Sequence, residues 1–204
     1  CKPMNILNIE HVSKIYGDKT IFDDVSFGIQ QGDKIGIIGI NGTGKTTFLK
    51  ILAGIEEPDE GQVIRQNGLR ISFLPQHPVF PEGAAVLSYV AGKKKGEDWI
   101  PETEAKMVLN KLGIRSHEEE ISHLSGGQKK RIALAAVLVN PADILILDEP
   151  TNHLDNEMAE WLEDYLNRFK GTVIMVTHDR YFLDRVTNKI LEISHGKVYS
   201  YEAK

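Results

Sequence analysis

Several stretches of the chain carry no polar position at all. Ile144-Leu145-Ile146-Leu147 and Val173-Ile174-Met175-Val176 read as parallel strands buried on both faces, and Lys34-Ile35-Gly36-Ile37-Ile38 reads as a third, shorter one. From Asn5 to Gln30 the apolar positions alternate instead (Ile6, Leu7, Ile9, Val12, then Ile21, Phe22, Val25, Phe27, Ile29), with breaks at Gly17-Asp18 and Asp23-Asp24. That pattern predicts an antiparallel strand set. Gln62 to Leu74 predicts two strands around Asn67-Gly68, a tight-turn dipeptide. Ile190 to Tyr201 alternates around His195-Gly196 and predicts a closing strand pair.

Between these lie helical periodicities. Thr47 to Ala53 predicts a helix stopped by Gly54, with Pro58 beyond. Val86, Leu87, Tyr89 and Val90 share one helical face; Ala105, Val108, Leu109 and Leu112 share another, closed by Gly113. Ile132 to Val139 is apolar throughout and ends at Asn140-Pro141. Met158, Trp161, Leu162, Tyr165, Leu166 and Phe169 form a core-facing stripe, with Gly171 as the predicted helix stop. Strands alternating with helices predict an α/β fold with a parallel sheet.

With 204 residues, 41% hydrophobic and 26% charged, the chain has the balance of one globular domain, and a net charge of −5 argues against wrapping nucleic acid with its whole surface. The single cysteine, Cys1, leaves no disulfide to form; Cys1-Lys2-Pro3 precedes a candidate start at Met4 and reads as a remnant ahead of a domain covering 4–204. No apolar run approaches a membrane span and the first thirty residues lack a signal-peptide core, so the expected location is the cytoplasm. The run Gly92-Lys93-Lys94-Lys95-Gly96-Glu97-Asp98 reads as an exposed connection.

The candidate chemistry centres on Gly39-Ile40-Asn41-Gly42-Thr43-Gly44-Lys45-Thr46-Thr47, which fits the phosphate-binding pattern G-x-x-x-x-G-K-[S/T] between a predicted strand and a predicted helix. Glycines let consecutive N–H groups face one anion, the helix N-terminus adds partial positive charge, Lys45 places a cation on the outer phosphates, and the Thr46 hydroxyl suits Mg²⁺. Asp148 and Glu149 follow a buried strand directly, an expensive placement unless they serve a cation or a proton transfer. We assign Asp148 to Mg²⁺ and Glu149 to the attacking water. Gln76 stands at the carboxyl end of another predicted strand, where open parallel sheets bind ligands. His178 ends a third and suits a γ-phosphate or the same water. Leu124-Ser125-Gly126-Gly127-Gln128 makes a second anion site: Ser125 caps a helix whose first N–H groups the glycines leave uncovered. Tyr16, some twenty residues before the phosphate loop, offers a ring for a purine.

In their order and spacing these segments resemble an ATP-binding cassette (ABC) domain, and the resemblance covers nearly the whole chain. It implies a P-loop NTPase α/β core, an antiparallel β subdomain and a small helical subdomain over about 79–140. It further implies that two cassettes pair head to tail. ATP would then lie between Tyr16, Gly39, Asn41, Gly42, Thr43, Gly44, Lys45, Thr46 and Thr47 of one copy and Ser125, Gly126, Gly127 and Gln128 of the other. Mg²⁺ would be shared among Thr46, Gln76 and Asp148, with Glu149, His178 and Gln76 as the catalytic set. Glu149-Pro150-Thr151-Asn152-His153-Leu154-Asp155 and Thr177-His178-Asp179-Arg180-Tyr181-Phe182-Leu183-Asp184 resemble the ABC-F branch, whose members act at the ribosome and tRNA without membrane domains. The alternatives are a transporter's nucleotide-binding subunit and an ATP-gated clamp that hardly turns over. ABC-F chains usually carry two cassettes, so this one reads as an excised or shortened N-terminal cassette, or as one from which some intervening residues are absent; Val79 to His123 leaves little room for the arm many of them insert.

Overall fold

A computed structural model describes residues 5–39, 44–91 and 101–202. Three strands, β1 (Asn5–Tyr16), β2 (Lys19–Gln30) and β4 (Glu60–Arg65), form an antiparallel sheet in the order β2-β1-β4. The six others form a second sheet in the order β5-β6-β7-β3-β8-β9: β3 (Lys34–Ile38), β5 (Ile71–Leu74), β6 (Ile144–Asp148), β7 (Thr172–Val176), β8 (Lys189–Ser194) and β9 (Lys197–Glu202). Within it β5, β6, β7, β3 and β8 run parallel, and β9 turns back antiparallel through left-handed His195 and Gly196.

The apolar runs explain the layering. Because side chains alternate across a strand, Leu145, Leu147, Val173 and Met175 enter one core, while Ile144, Ile146, Ile174 and Val176 enter the other. The first core packs under α2 (Val86–Val90), α3 (Glu102–Lys111), α4 (Gly126–Val139), α5 (Asn156–Arg168) and α6 (Arg180–Val186). The second is closed by α1 (Lys45–Ala53) and the antiparallel sheet, through Phe48, Leu49, Leu7, Ile9 and Phe22. Every residue of β6 and β7 is buried, which is why 144–147 and 173–176 are apolar throughout, with Asp148 and Thr172 as buried polar residues at the strand ends.

Two local expectations are corrected. Asn67-Gly68 does form a turn, closed by Leu69 N–H donating to the Gln66 carbonyl at 3.1 Å with Gly68 at φ +73. It is not a hairpin, however: β4 joins the antiparallel sheet and β5 the parallel one. β5 pairs in parallel with β6 rather than with its neighbour in sequence, so tertiary pairing overrides the turn. Likewise Gly171 is not the left-handed stop of α5, which ends instead in an extended residue, Phe169, at φ −65. Gly171 is required for space, since a Cβ there would stand 2.6 Å from the Asp143 carbonyl oxygen.

The fold places four chain segments at one end of the parallel sheet. Strands β5, β6, β7 and β3 are consecutive neighbours, and their carboxyl ends lead to Gln76, Asp148-Glu149, His178 and the Gly39 loop respectively. This is the end at which open α/β sheets bind ligands.

Candidate functional site

Gly44 sets the turn from the loop into α1. It sits at φ +95, and a Cβ there would stand 2.3 Å from Cγ2 of Ile21, so both conformation and space demand glycine. Among the described residues no side chain caps α1, and its first turn holds no acidic residue, which suits its leading N–H groups to an anion. Lys45 Nζ donates to the Gly39 carbonyl. Asn41, Gly42 and Thr43 lie outside the described residues.

One helical position on, Thr46 Oγ1 donates to Asp148 Oδ2 at 3.0 Å. Asp148 is 1% exposed, and burial pushes its carboxyl above the usual range, opposed by the Thr46 hydrogen bond and the nearby Lys130 ammonium. A buried carboxylate beside a hydroxyl at the first turn of a phosphate-loop helix is a hard-oxygen donor set that fits Mg²⁺. Among the described residues no group of three or more His, Cys, Asp or Glu is placed to hold a metal.

Glu149 is held by its backbone. Its N–H donates to the Val176 carbonyl at 2.7 Å, extending the β6–β7 ladder one residue, and the chain then turns at φ +54. A non-glycine residue in that region costs on the order of 1 kcal/mol or more and is found where position matters. The turn aims the side chain at His178: the His178 N–H donates to Oε2 at 3.3 Å, and its Nε2 lies 3.2 Å from Oε1. Burial raises the Glu149 pKa, with the His178 N–H and ring opposing. His178 keeps its side chain 69% exposed, so the pair has a wet and a dry member.

Gly44, Lys45, Thr46, Thr47, Gln76, Asp148, Glu149, Val176 and His178 together line a cavity of about 260 Å³. A larger one, about 460 Å³, involves Ile6, Asn67, Ala142 and Phe169. Convergent polar groups, not volume, single out the first.

Ser125 and Gln128 build a reciprocal cap on α4: Ser125 Oγ accepts from the Gln128 N–H at 3.1 Å, and Gln128 Oε1 accepts from the Ser125 N–H at 2.9 Å. Ser125 thus keeps its own hydroxyl hydrogen to donate. Nothing lies within 4 Å of a Cβ built at Gly126, whereas one at Gly127 would meet the His153 ring at 3.3 Å. None of Ser125, Gly126, Gly127 or Gln128 is among the described residues lining the cavity around Lys45. Tyr16 does not line it either; its hydroxyl donates to Glu56, and Lys14 Nζ sits 5.4 Å from its ring centre.

One functional neighbour escaped sequence reasoning. Lys130 is 6% exposed and donates to the carbonyls of Pro75, Gln76 and Asp148 at 2.9, 3.1 and 3.0 Å. The available signal was its helical spacing: positions i+3 and i+4 are Ala133 and Leu134, both core, so a lysine there points inward. Burial lowers its pKa, with Asp148 and Glu149 opposing.

Comparison with known proteins follows the same lines. Residues 22–152 match the family model described as ABC transporter. The chain is 44% identical to the uncharacterized ABC transporter ATP-binding protein YfmR of Bacillus subtilis, over 98% of this chain and 38% of that protein. It is 34% identical to the energy-dependent translational throttle protein EttA of Mycobacterium tuberculosis (97% and 42%) and 35% identical to ABC transporter F family member 5 of Arabidopsis thaliana (97% and 29%). It therefore spans well under half the length of these relatives. The post-hydrolysis dimer of the ATP-binding cassette MJ0796, bound to ADP and Pi, superposes with a TM-score of 0.83 at 26% identity, covering 97% of this chain and 99% of that one. Phosphate loop, paired carboxylates, separate capped helix and relatives agree: this chain belongs to the ABC family as an ATP-binding cassette, with ABC-F proteins among its relatives.

Proposed function

We propose that this cassette binds Mg-ATP in the cavity around Lys45 and hydrolyses it when a second cassette closes over the nucleotide. One observation carries the reading: Lys45, the Thr46–Asp148 pair and the Glu149–His178 pair converge on a single cavity whose described lining includes none of Ser125, Gly126, Gly127 or Gln128. A site so divided calls for another copy or a further cassette to complete it, and the similar cassette MJ0796 is a dimer.

The loop amides, including those of Asn41, Gly42 and Thr43, hold the β- and γ-phosphates, and Lys45 exchanges the Gly39 carbonyl for their charge. Thr46 and Asp148, with Gln76, hold Mg²⁺, which when bound neutralises charge developing on the phosphate oxygens. Glu149 takes a proton from the in-line water at its carboxylate, and His178 steadies that carboxylate while its exposed face meets the γ-phosphate. Ser125 and Gly127 of the opposing cassette donate to the γ-phosphate. Tyr16 swings from Glu56 to stack on the purine. The helices between 79 and 140 act as a helical subdomain that delivers Ser125 to the opposite site.

The whole protein is read as a cytoplasmic ABC-F factor coupling ATP binding to a fit on ribosome and tRNA. This rests on relatives such as EttA, whose name ties it to translation. No helix among the described residues is long and apolar enough to cross a membrane. A second reading, the motor subunit of a transporter, is favoured by a cavity of about 570 Å³ following Gln76, lined by Pro78, Val79, Phe80 and Pro81, with Val79 88% exposed. Lys45→Ala is expected to abolish nucleotide binding or turnover, and normal hydrolysis by that variant would overturn the phosphate assignment. Sedimentation of the full-length protein with ribosomes in ATP, using Glu149→Gln, supports the translation reading; co-purification with a membrane protein instead supports the transporter.

A further inference from the structure

Among the described residues, the buried Lys130 ammonium hydrogen-bonds to no carboxylate oxygen. Its ammonium has three donors, and they go to three backbone carbonyls: Pro75 and Gln76 just beyond β5, and Asp148 at the end of β6. A buried ammonium is tolerated only when its donors are satisfied, so this contact geometry is strongly specified. We infer that Lys130 is a positioning residue for hydrolysis, tying Gln76 and the Asp148–Glu149 step to each other and to the helix that begins at Ser125. The role rests on the ATPase reading above.

The peptide unit between Asp148 and Glu149 shows how. Its carbonyl accepts from Lys130 Nζ at 3.0 Å, and its N–H donates to Val176 at 2.7 Å, so the plane is gripped on both sides. That plane precedes the left-handed turn at Glu149 and sets where the carboxylate meets His178. The carbonyl of Gln76 is held by the same ammonium, which fixes the peptide from which the next loop departs. Lys130 lies five residues into the helix capped by Ser125. A shift of that helix end is thus transmitted to both groups facing the water and the metal, and the two half-sites of one copy become a single mechanical unit. Misplacement of about 1 Å at such groups is enough to cost on the order of a hundredfold in rate.

The test compares Lys130→Met and Lys130→Gln with the wild type in the full-length protein, by ATP affinity, single-turnover rate with Mg²⁺ titrated, and amide hydrogen exchange without nucleotide. Lys130→Met is expected to bind ATP within about threefold of wild type, to lose at least about tenfold in turnover, and to need more Mg²⁺ for half-maximal rate. Peptides covering 74–78 and 147–150 should exchange faster. Lys130→Gln, which keeps two N–H donors without the charge, should recover part of each effect, and it carries every readout should the methionine variant fail to fold. Unchanged turnover, or unchanged exchange in those peptides, overturns the inference; so does a loss confined to global stability. A wild-type protein that binds no ATP would defeat the ATPase reading alone, because the nucleotide-free exchange still decides whether Lys130 is the tether.

Discussion

Thr46 and Asp148 stand 102 positions apart in the chain, and the hydroxyl of one donates to the carboxylate of the other across 3.0 Å. The bond spans α1 and β6 and aligns two oxygens of different charge on one side of the cavity. Removing the hydroxyl while keeping the shape isolates its contribution. Thr46→Val is expected to raise the Mg²⁺ concentration for half-maximal hydrolysis by roughly tenfold, about the 1.4 kcal/mol worth of one charge-assisted hydrogen bond. ATP binding in EDTA should change little. Mg²⁺ titration of turnover beside equilibrium nucleotide binding checks both.

Glu149→Gln retains an oxygen to accept the His178 N–H but has no carboxylate to take a proton. Turnover should fall by about 10²–10⁴-fold, the usual contribution of a general base. The bound ATP then persists, and a species of twice the mass should accumulate in sedimentation velocity. In the wild type the rate per molecule should rise with protein concentration. A strictly monomeric Glu149→Gln variant with a concentration-independent wild-type rate would contradict the shared-site reading.

Much of this was legible because the pattern and the chemistry share a cause. An apolar run such as Ile144 to Leu147 must be buried on both faces, so the first polar residues after it, Asp148 and Glu149, emerge at a sheet end. The same logic exposed Gln76 and His178. What escaped was whatever depends on a distant partner. The Asn67-Gly68 turn looked like a hairpin because the demand of β5 for β6, more than seventy residues later, leaves no local trace. Gly171 looked like a helix stop, yet its reason is the Asp143 carbonyl against it. Lys130 was hidden in a basic triplet whose neighbours Lys129 and Arg131 are not similarly buried, and only its helical phase distinguishes it.

Burial raises the pKa of both Asp148 and Glu149. A carboxyl whose folded pKa exceeds its unfolded value binds its proton more tightly in the fold. Stability therefore declines as pH rises from the unfolded value, near about 4, through the raised folded value, and the loss persists above it. Asp148→Asn should accordingly raise the melting temperature of nucleotide-free, Mg²⁺-free protein by a few degrees at pH 8 and by less at pH 5. Since Glu149 acts as its carboxylate, the acid limb of the pH–rate profile should lie above the ordinary glutamate range. Thermal unfolding at the two pH values, and the rate profile, check the two signs; a variant less stable than wild type at pH 8 would contradict the first.

Gly127 separates crowding within one copy from contact between copies. A methyl there would press on the His153 ring at 3.3–3.4 Å, and His153 holds a left-handed turn at φ +66 just before Asp155 caps α5. Alanine is ordinarily better than glycine inside a helix by up to about 1 kcal/mol, so Gly127→Ala carries a gain and a clash together. In a His153→Ala background only the gain remains, and the double variant should be more stable than His153→Ala alone by about 0.5–1 kcal/mol. Turnover should behave differently. If the Gly127 N–H faces the γ-phosphate of an opposing cassette, the added methyl obstructs that approach whether or not His153 is present, and hydrolysis stays low in the double variant. Denaturant unfolding and ATPase assays on the four-member cycle read both quantities. Recovery of turnover along with stability would place the loss inside one copy and remove Gly127 from the shared site.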